Sequence, residues 1–267
     1  MPRLRDLPWR RTRDPWAILV SEVMLQQTQA LRVIPRWQAF IEVYPTPAAC
    51  AAAPLGDVLR LWQGLGYPRR ARNLHAVAGR IVELGRFPST IDELIALPGI
   101  GQYTARAVLA FAFEPDVAVV DTNIARVLAR VAGHRLTAKQ AQADADGALA
   151  VGDSWAWNQC IMELGAMLCR PASPQCSACP LRRGCVWRGR GDDPAIGSAS
   201  VSGRQAPFDG SDRQARGRLM KALVGGAVTR ERLDDVMGCD STRAGRLAGD
   251  LEREGLVVSD GRSLRLP

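Results

Sequence analysis

The sequence predicts a mostly helical protein, with an all-α part that extends to about residue 166 and a small winged-helix-like domain at the end. Apolar residues recur with a period near 3.6 through most of the first part. The segment Leu97-Pro98-Gly99-Ile100-Gly101 is a turn signal between two such stretches, which predicts a helix-hairpin-helix. Residues 212–267 have the pattern of three short helices and a β-hairpin, the element order of a winged helix.

The first helix begins at Pro15, and its apolar face predicts that it continues to Val43, with Glu22 in the middle of the apolar run. A second helix ends at the glycine-rich turn Gly64-Leu65-Gly66-Tyr67, and amphipathic helical segments follow it. Only residues 117–120 have the pattern of a strand, and they are too short and isolated to define a sheet. The first part is therefore predicted to be all-α.

Charge and hydropathy limit the class of partner. The net charge is +8, and all of the 35 basic residues are Arg except Lys139 and Lys221. Compositional bias can explain the choice of Arg over Lys, but the excess of positive charge favours a polyanionic partner. No apolar run approaches the ~20 residues that span a bilayer, and the basic N-terminus lacks the apolar core of a signal peptide. We expect no membrane association and a cytoplasmic location.

Four of the seven cysteines lie between Cys169 and Cys185. Six, two and five residues separate Cys169, Cys176, Cys179 and Cys185 in turn. Without a secretion signal, such a cluster favours a metal site over disulfides. Zinc sites usually pair two short knuckles, whereas this loop has only one, so a 4Fe–4S cluster is favoured and zinc stays as the alternative.

Composition changes after the cysteine loop. Residues 189–211 are rich in Gly, Ser, Asp and Pro, which predicts a flexible linker between a first domain (residues 1–188) and the winged-helix-like domain (residues 212–267). The third helix of that last domain would present Thr242, Arg243 and Arg246 to a DNA groove or to phosphates. A small packing domain without DNA contact is the alternative.

The hairpin and the acid that follows it have both functional and structural interpretations. Gly99 and Gly101 permit positive φ and leave backbone N–H groups uncovered at the start of the next helix, where a phosphate oxygen can bind. An ordinary loop between packed helices is the alternative. Asp121 precedes a helix and suits the N-cap position.

Five motifs occur together in a fixed order: Ser21–Gln29, Gly64–Tyr67, Leu97–Gly101, Val120–Asn123 and the four-cysteine loop. In this order and spacing the chain resembles the helix-hairpin-helix DNA glycosylases, and within them the adenine glycosylases of MutY type, over roughly residues 7 to 188. The resemblance implies a two-lobed helical fold and a 4Fe–4S cluster on the four cysteines. It also implies excision of adenine mispaired with 8-oxoguanine or guanine.

Two carboxylates suit that reaction. Cleaving the bond to a purine requires protonation of the leaving base and stabilisation of an oxocarbenium-like sugar. The apolar neighbours of Glu22 disfavour its charged form, and the resemblance makes it the acid that protonates adenine N7. Asp121 would face the anomeric carbon, and Asn123 would steady the sugar or the water. Tyr103 stands where strand-cleaving relatives have Lys, which predicts a monofunctional enzyme with weak or no lyase activity.

The resemblance also implies contacts with DNA. The adenine-binding residues of the family correspond to Trp9, Arg10 and Gln159 in this chain. Since base flipping leaves a gap in the stack, side chains must fill it, and these correspond to Gln26 or Gln27 and to Tyr67. The hairpin would grip the backbone through Leu97, Gly99 and Gly101.

Two departures from the family pattern matter. Family members commonly have two tyrosines where this chain has Tyr67-Pro68, and there is no room for the usual Nudix-like domain that reads 8-oxoguanine. We hypothesise that the winged-helix-like domain partly replaces it. The alternatives are a glycosylase for another base, such as thymine opposite guanine or hypoxanthine, and a non-catalytic DNA-binding iron–sulfur protein, although the presence of Glu22 and Asp121 disfavours the latter. We expect a nucleoid-associated monomer whose partner is double-stranded DNA with a mispaired or damaged base.

Overall fold

The computed structural model describes residues 4–201, 203 and 206–267. Residues 1–3 of the predicted first domain, and residues 202, 204 and 205 of the predicted linker, lie outside the described residues. The described residues fall in two compact units. The first unit lies within Met1–Leu19, Ser89–Ala96 and Ile100–Arg204, and the second within Val20–Pro88, Leu97–Gly99 and Gln205–Pro267.

The fold is mainly helical, as predicted. The helices are α1 (Pro15–Leu25), α2 (Ala30–Val43), α3 (Pro47–Ala52), α4 (Leu55–Leu61), α5 (Arg69–Leu84), α6 (Ile91–Ile95), α7 (Gln102–Val108), α8 (Thr122–Ala132), α9 (Ala138–Ala148), α10 (Ser154–Met167), α11 (Asp212–Val224), α12 (Leu233–Met237) and α13 (Ser241–Arg253). Short 3₁₀ helices lie at Pro8–Arg11, Cys176–Ala178 and Arg230–Arg232, a π-helical segment at Leu109–Phe113, and strands at β1 (Val228–Thr229), β2 (Val258–Ser259) and β3 (Ser263–Arg265). Over the described part of the chain, no helix has the combined length and apolarity that crossing a membrane requires.

The prediction of one continuous helix from Pro15 to Val43 is wrong. Helix α1 ends at Leu25 and α2 begins at Ala30, and Gln27 between them has a φ of 56°. The carbonyls of Val23 and Met24, which would accept the next helical hydrogen bonds, accept them instead from the Arg70 guanidinium. The helix therefore stops because of a distant side chain, and no local Gly or Pro marks the position.

In the first unit, α8 packs against α9 and α10, and α6 packs against α7. Residues 117–120 are extended but form no strand. Asn158 of α10 takes the place of a partner strand: its Oδ1 accepts from the Val119 N–H at 2.9 Å, and its Nδ2 donates to the Val117 carbonyl at 2.9 Å. The buried backbone is thus satisfied without a sheet.

Part of the segment predicted as a flexible linker is packed against the first unit. Asp193 pairs with Arg130 at 2.6 Å. The Ser198 hydroxyl oxygen accepts from the Leu136 N–H at 3.0 Å, and the Ala199 N–H donates to the Leu136 carbonyl at 2.9 Å. The short polar side chains that indicated a linker here satisfy buried backbone groups. The domain boundaries themselves stay a prediction.

In the second unit, α3 and α4 pack against α5, while α11, α12 and α13 pack against one another. The three strands form an antiparallel sheet in the order β1-β3-β2, with Val228 opposite Leu264 and Val258 opposite Arg265. The predicted order of three helices followed by a hairpin is present. The structure adds β1, a strand too short for its pattern to show in the sequence.

The C-terminal helices and sheet contact α4 and α5 within the second unit. The Gly56 N–H donates to the Pro267 carbonyl at 3.1 Å, and a Cβ on Gly56 would lie 2.3 Å from that oxygen. The Glu254 carboxylate, just after α13, pairs with Arg69 at 2.8 Å. Gly56 and the Arg69–Glu254 ion pair therefore bring the C-terminal helices and sheet together with α4 and α5.

The close approach at Gly56 predicts opposite effects for two Gly→Ala substitutions. Alanine in a helix interior is favoured over glycine by about 0.5–1 kcal/mol, and a Cβ on Gly79 of α5 meets nothing within 4 Å. We expect Gly79→Ala to raise the thermal unfolding midpoint. Gly56→Ala should lower it, because overpacking costs about 1–3 kcal/mol. Thermal unfolding followed by circular dichroism checks this, and a gain from both substitutions would contradict it.

Candidate active site and cysteine loop

The Glu22 side chain is buried, as its apolar neighbours predict. It lies on α1, where Asp14 accepts hydrogen bonds from the first backbone N–H groups of the helix. Glu22 is 4% exposed and the preceding Ser21 is fully buried. Enclosing a carboxyl group in this way imposes a desolvation cost on its charged form.

Asp121 is the N-cap of α8, which confirms that prediction. Its Oδ1 accepts from the Ile124 N–H at 2.7 Å, and its Oδ2 accepts from Asn123 Nδ2 at 2.8 Å. Burial raises the pKa of Asp121 above its ordinary value, although the hydrogen bonds from Ile124 and Asn123 act in the opposite direction. The carboxylate is therefore fixed in direction and held in a place where its charge is poorly solvated.

Asn123 connects Asp121 to a buried guanidinium that sequence reasoning missed. Arg126 Nη2 donates to Asn123 Oδ1 at 2.8 Å and to the Gly165 carbonyl at 2.8 Å. A Cβ on Gly165 would lie 2.7 Å from Asn123 Cβ, so the glycine lets α10 approach α8 this closely. Since Arg126 binds Asn123 Oδ1, the Asn123 amide is oriented with its Nδ2 toward Asp121.

The predicted adenine-binding residues lie on two segments of the first unit. Trp9 and Arg10 lie on the 3₁₀ helix Pro8–Arg11, and Gln159 lies on α10; Trp9 and Gln159 are buried. Arg10 Nη2 donates to Glu163 Oε1 at 2.8 Å, so the N-terminal segment is attached to the helix that carries Gln159.

Glu163 was missed by sequence reasoning, although it carries the same signal as Glu22, an acid inside an apolar helical run. Its side chain is 1% exposed and pairs with both Arg5 and Arg10. Burial alone would raise the pKa of Glu163, but the hydrogen bonds from Arg5 and Arg10 outweigh burial and lower it. Its surroundings therefore hold Glu163 as a structural anion.

Two turns of the second unit carry the residues predicted to fill the stack: the Gln turn (residues 26–29) and the Tyr turn (residues 64–67). Gln27 is exposed, whereas Gln26 and Tyr67 are half-buried. Gln27 and Tyr67 both have positive φ, 56° and 49°, which is uncommon for residues other than glycine.

Arg70 joins the two turns. Its guanidinium donates to the carbonyls of Val23, Met24, Gln26, Leu65 and Gly66 and to the Thr28 hydroxyl. It also lies 5.4 Å from the centre of the Tyr67 ring. Burial lowers the pKa of Arg70 to about 10, so the group stays charged at neutral pH.

The predicted helix-hairpin-helix is present as α6, a turn and α7. Leu97 is buried, and Gly99 has a φ of 74°; a Cβ there would lie 2.3 Å from Asn73 Nδ2. Gly101 has an ordinary φ of −101°, so of the two glycines that permit positive φ only Gly99 adopts it. A Cβ on Gly101 meets nothing within 4 Å, which leaves the first turn of α7 uncovered. Tyr103 is half-buried in that turn.

The four cysteines of the loop line one small pocket, together with Arg130 and Arg188. All seven cysteines of the chain are free thiols. In the described part of the chain, no three His, Cys, Asp or Glu side chains are drawn together in a metal-ligand arrangement. The donors nevertheless fit an iron–sulfur cluster chemically: all four are thiols, Arg130 Nη1 donates to Cys169 Sγ at 3.3 Å, and the Arg188 N–H donates to Cys185 Sγ at 3.4 Å.

The candidate site residues are divided between the two units. Glu22, the Gln turn and the Tyr turn belong to the second unit, and Asp121, Tyr103 and the cysteine loop belong to the first. The structure therefore brings Asp121 together with Asn123, and the Gln turn together with the Tyr turn.

The fold and these residues define a class, the helix-hairpin-helix proteins of DNA base excision. Residues 20–149 match the family described as HhH-GPD superfamily base excision DNA repair protein. Among solved structures, a thermostable thymine-DNA glycosylase superposes with a TM-score of 0.64 at 29% identity, over 69% of this chain and 89% of that one. A non-covalent endonuclease III–DNA complex superposes with a TM-score of 0.63 at 26% identity, over 70% of this chain and 89% of that one.

Curated sequences similar to this chain narrow the class to one family. The adenine DNA glycosylase of Mycolicibacterium smegmatis is 44% identical over 97% of this chain and 90% of its own length. The adenine DNA glycosylase of Mycobacterium tuberculosis is 42% identical over 97% of this chain and 88% of its own length. The human adenine DNA glycosylase is 40% identical over 74% of this chain and 40% of its own length. The chain belongs to the adenine DNA glycosylase family.

The surroundings of Glu163 predict how stability depends on pH. Because its pKa is lowered on folding, ionised Glu163 adds stability above its ordinary pKa of 4.5, and this contribution is lost as the pH falls through the lower folded value. We expect Glu163→Gln to reduce the free energy of unfolding at pH 7 by about 1–3 kcal/mol. The difference from wild type should shrink below pH 4.5 in urea unfolding.

Glu114→Gln is the matched control. Glu114 pairs with Arg13, and both side chains are about half exposed, so solvent screens the pair and its loss should cost at most about 1 kcal/mol. Equal losses for the two variants, or a Glu163→Gln deficit that stays constant in acid, would contradict the assignment of Glu163 as a buried structural anion.

Proposed function

We propose that the protein is a base-excision repair glycosylase that removes adenine mispaired with 8-oxoguanine or guanine. The observation that carries the proposal is the pair of acids held away from bulk water, the buried Glu22 on α1 and the half-buried, capped Asp121, in a chain that belongs to the adenine DNA glycosylase family. Carboxyl groups held in place at a cost in desolvation are typical of catalytic sites.

In the proposed reaction, protonated Glu22 donates its proton to adenine N7. The C1′–N9 bond then breaks, its electron pair moves to the base, and positive charge develops on the sugar. Asp121 stabilises that charge strongly, because a carboxylate in a poorly solvated place interacts with a nearby cation more than one in water does. Water adds to C1′ and gives its proton to the Glu22 carboxylate, which restores the acid. Asn123 keeps Asp121 in position through the 2.8 Å hydrogen bond.

The partner we propose is double-stranded DNA, and the adenine leaves the helix to be cleaved. Gln27 is the better candidate of the two glutamines to fill the gap, because its side chain is exposed and the Gln26 carbonyl is bound to Arg70. Tyr67 inserts beside it. Trp9, Arg10 and Gln159 border the adenine, and the hairpin at Leu97, Gly99 and Gly101 holds the phosphate backbone.

Single-turnover excision tests the function. The duplexes carry adenine opposite 8-oxoguanine, adenine opposite guanine, thymine opposite guanine, or hypoxanthine. We expect release of adenine from the first two, with a loss of about 10²–10⁴ in rate for Glu22→Gln, the range for general acids, and a comparable loss for Asp121→Asn. Glu83→Gln, an exposed acid on α5, should retain wild-type activity. If no duplex loses a base, the proposal fails.

Tyr103 bears on strand cleavage. An aromatic residue has no amine to form a Schiff base with the sugar. We therefore propose a monofunctional enzyme, and borohydride added to the same reactions should trap little covalent adduct. A high yield of adduct would identify another amine as a nucleophile.

We also propose that Cys169, Cys176, Cys179 and Cys185 hold a 4Fe–4S cluster, which would fix the shape of a loop bearing Arg182, Arg183 and Arg188 for phosphate contact. The single short knuckle supports the cluster over zinc, whose sites usually pair two such knuckles. Protein purified without oxygen should contain about four iron and four labile sulfide per chain, and Cys176→Ser should lower both. Cys50→Ser, a buried thiol elsewhere, is the control. One zinc and no sulfide would support the alternative.

A further inference from the structure

The hydroxyl of Tyr67 is bound by a residue of the C-terminal domain. Arg213, in the first turn of α11, donates from Nη1 to Tyr67 Oη at 3.1 Å. Tyr67 is therefore contacted at both ends of its side chain, by the Arg70 guanidinium at the ring and by Arg213 at the hydroxyl. A residue held at positive φ and contacted at both ends has a restricted orientation before any partner binds.

Arg213 is itself held by the end of the predicted linker, next to the winged-helix-like domain. Its Nη2 donates to the Ala206 carbonyl at 2.7 Å, and its guanidinium lies 5.9 Å from the centre of the Phe208 ring. Helix α11 is capped by Ser211, whose side chain accepts from the Gln214 N–H. The guanidinium that contacts Tyr67 is thus also held by Ala206 and Phe208, a few residues before α11.

The position of α11 against the Tyr turn is fixed at a second place. Glu254 accepts from Arg216 of α11 at 2.5 Å and from Arg69 of α5 at 2.8 Å. Arg72 of α5 donates to the Glu254 backbone carbonyl. One carboxylate thus links α11 to the start of α5, which directly follows the Tyr turn.

We propose that Arg213 is a positioning residue for Tyr67, and that through it the winged-helix-like domain sets how tightly the protein holds a duplex from which adenine has been flipped. This inference rests on the proposed function, in which Tyr67 enters the stack. Tyr67 contacts bases only in the flipped complex, so orienting it in advance strengthens binding to mispaired DNA and leaves binding to matched DNA unchanged. The C-terminal domain then contributes to mispair recognition through the Tyr turn.

The test measures affinity for two duplexes, one matched and one with adenine opposite 8-oxoguanine, in which a 2′-fluorine on the adenine nucleotide blocks cleavage. Arg213→Ala should weaken binding to the mispaired duplex about tenfold, the loss for one hydrogen bond to a charged group, and leave the matched duplex unchanged. Tyr67→Phe, which removes only the hydroxyl, should give the same loss, and the double variant no further loss. Arg213→Lys should restore part of the affinity.

Lys221→Ala is the matched control, since Lys221 is exposed on the same helix and carries the same charge. A phosphate contact by Arg213 would weaken both duplexes alike and lower the salt slope by about one unit, and that result would overturn the inference. Additive losses in the double variant would also overturn it. If wild type shows no preference for the mispaired duplex, the proposed function fails; if the preference survives Arg213→Ala, only this inference fails.

Discussion

The Gln turn and the Tyr turn both depend on the hydrogen bonds that the Arg70 guanidinium donates. Burying a cation is costly unless hydrogen bonds replace its water. Arg70 meets this condition with backbone carbonyls from both turns and with the rings of Trp62 and Tyr67. Within the described residues, Arg70 Nε is the buried side-chain polar atom left without a hydrogen bond. Because carbonyls of α1 are directed to this cation, α1 ends where it does and Gln27 adopts its positive φ.

Arginine side chains also bind buried carbonyls and carboxylates in the first unit. Arg126 donates to the carbonyls of Gly165 and Cys169, and Arg130 donates to the Arg170 carbonyl and pairs with Asp193. Arg5 and Arg10 neutralise Glu163. The high arginine content therefore serves the interior as well as a polyanionic partner. A planar guanidinium with five N–H donors can bind several carbonyls at once, which a lysine ammonium cannot do with the same geometry.

Local patterns predicted a good part of the structure: the helical content, the hairpin, the buried Glu22 and the capping Asp121 all follow from signals within a few residues. What failed depends on distant contacts. The helix break after Leu25 requires Arg70, and Asn158 replaces a partner strand for Val119. Glu163 was missed although its signal matched that of Glu22, because nothing in its neighbourhood along the chain indicates that Arg5 and Arg10 bind it.

Asp121, half-buried, and Glu163, fully buried, show how the surroundings of two carboxylates in the same unit can give them different properties. Two guanidiniums contact Glu163 and lower its pKa, so its charge is already neutralised and unavailable to a developing cation. Asp121 accepts from the backbone N–H groups of Ile124 and Asn123 and from the Asn123 amide, while Arg126 donates its hydrogen bond to Asn123 and acts on the carboxylate only through its charge. Desolvation raises the pKa of Asp121 against these hydrogen bonds, and in the described part of the chain its carboxylate is fixed in direction without an ion pair. An unpaired, oriented carboxylate is the arrangement that can respond to positive charge on a sugar.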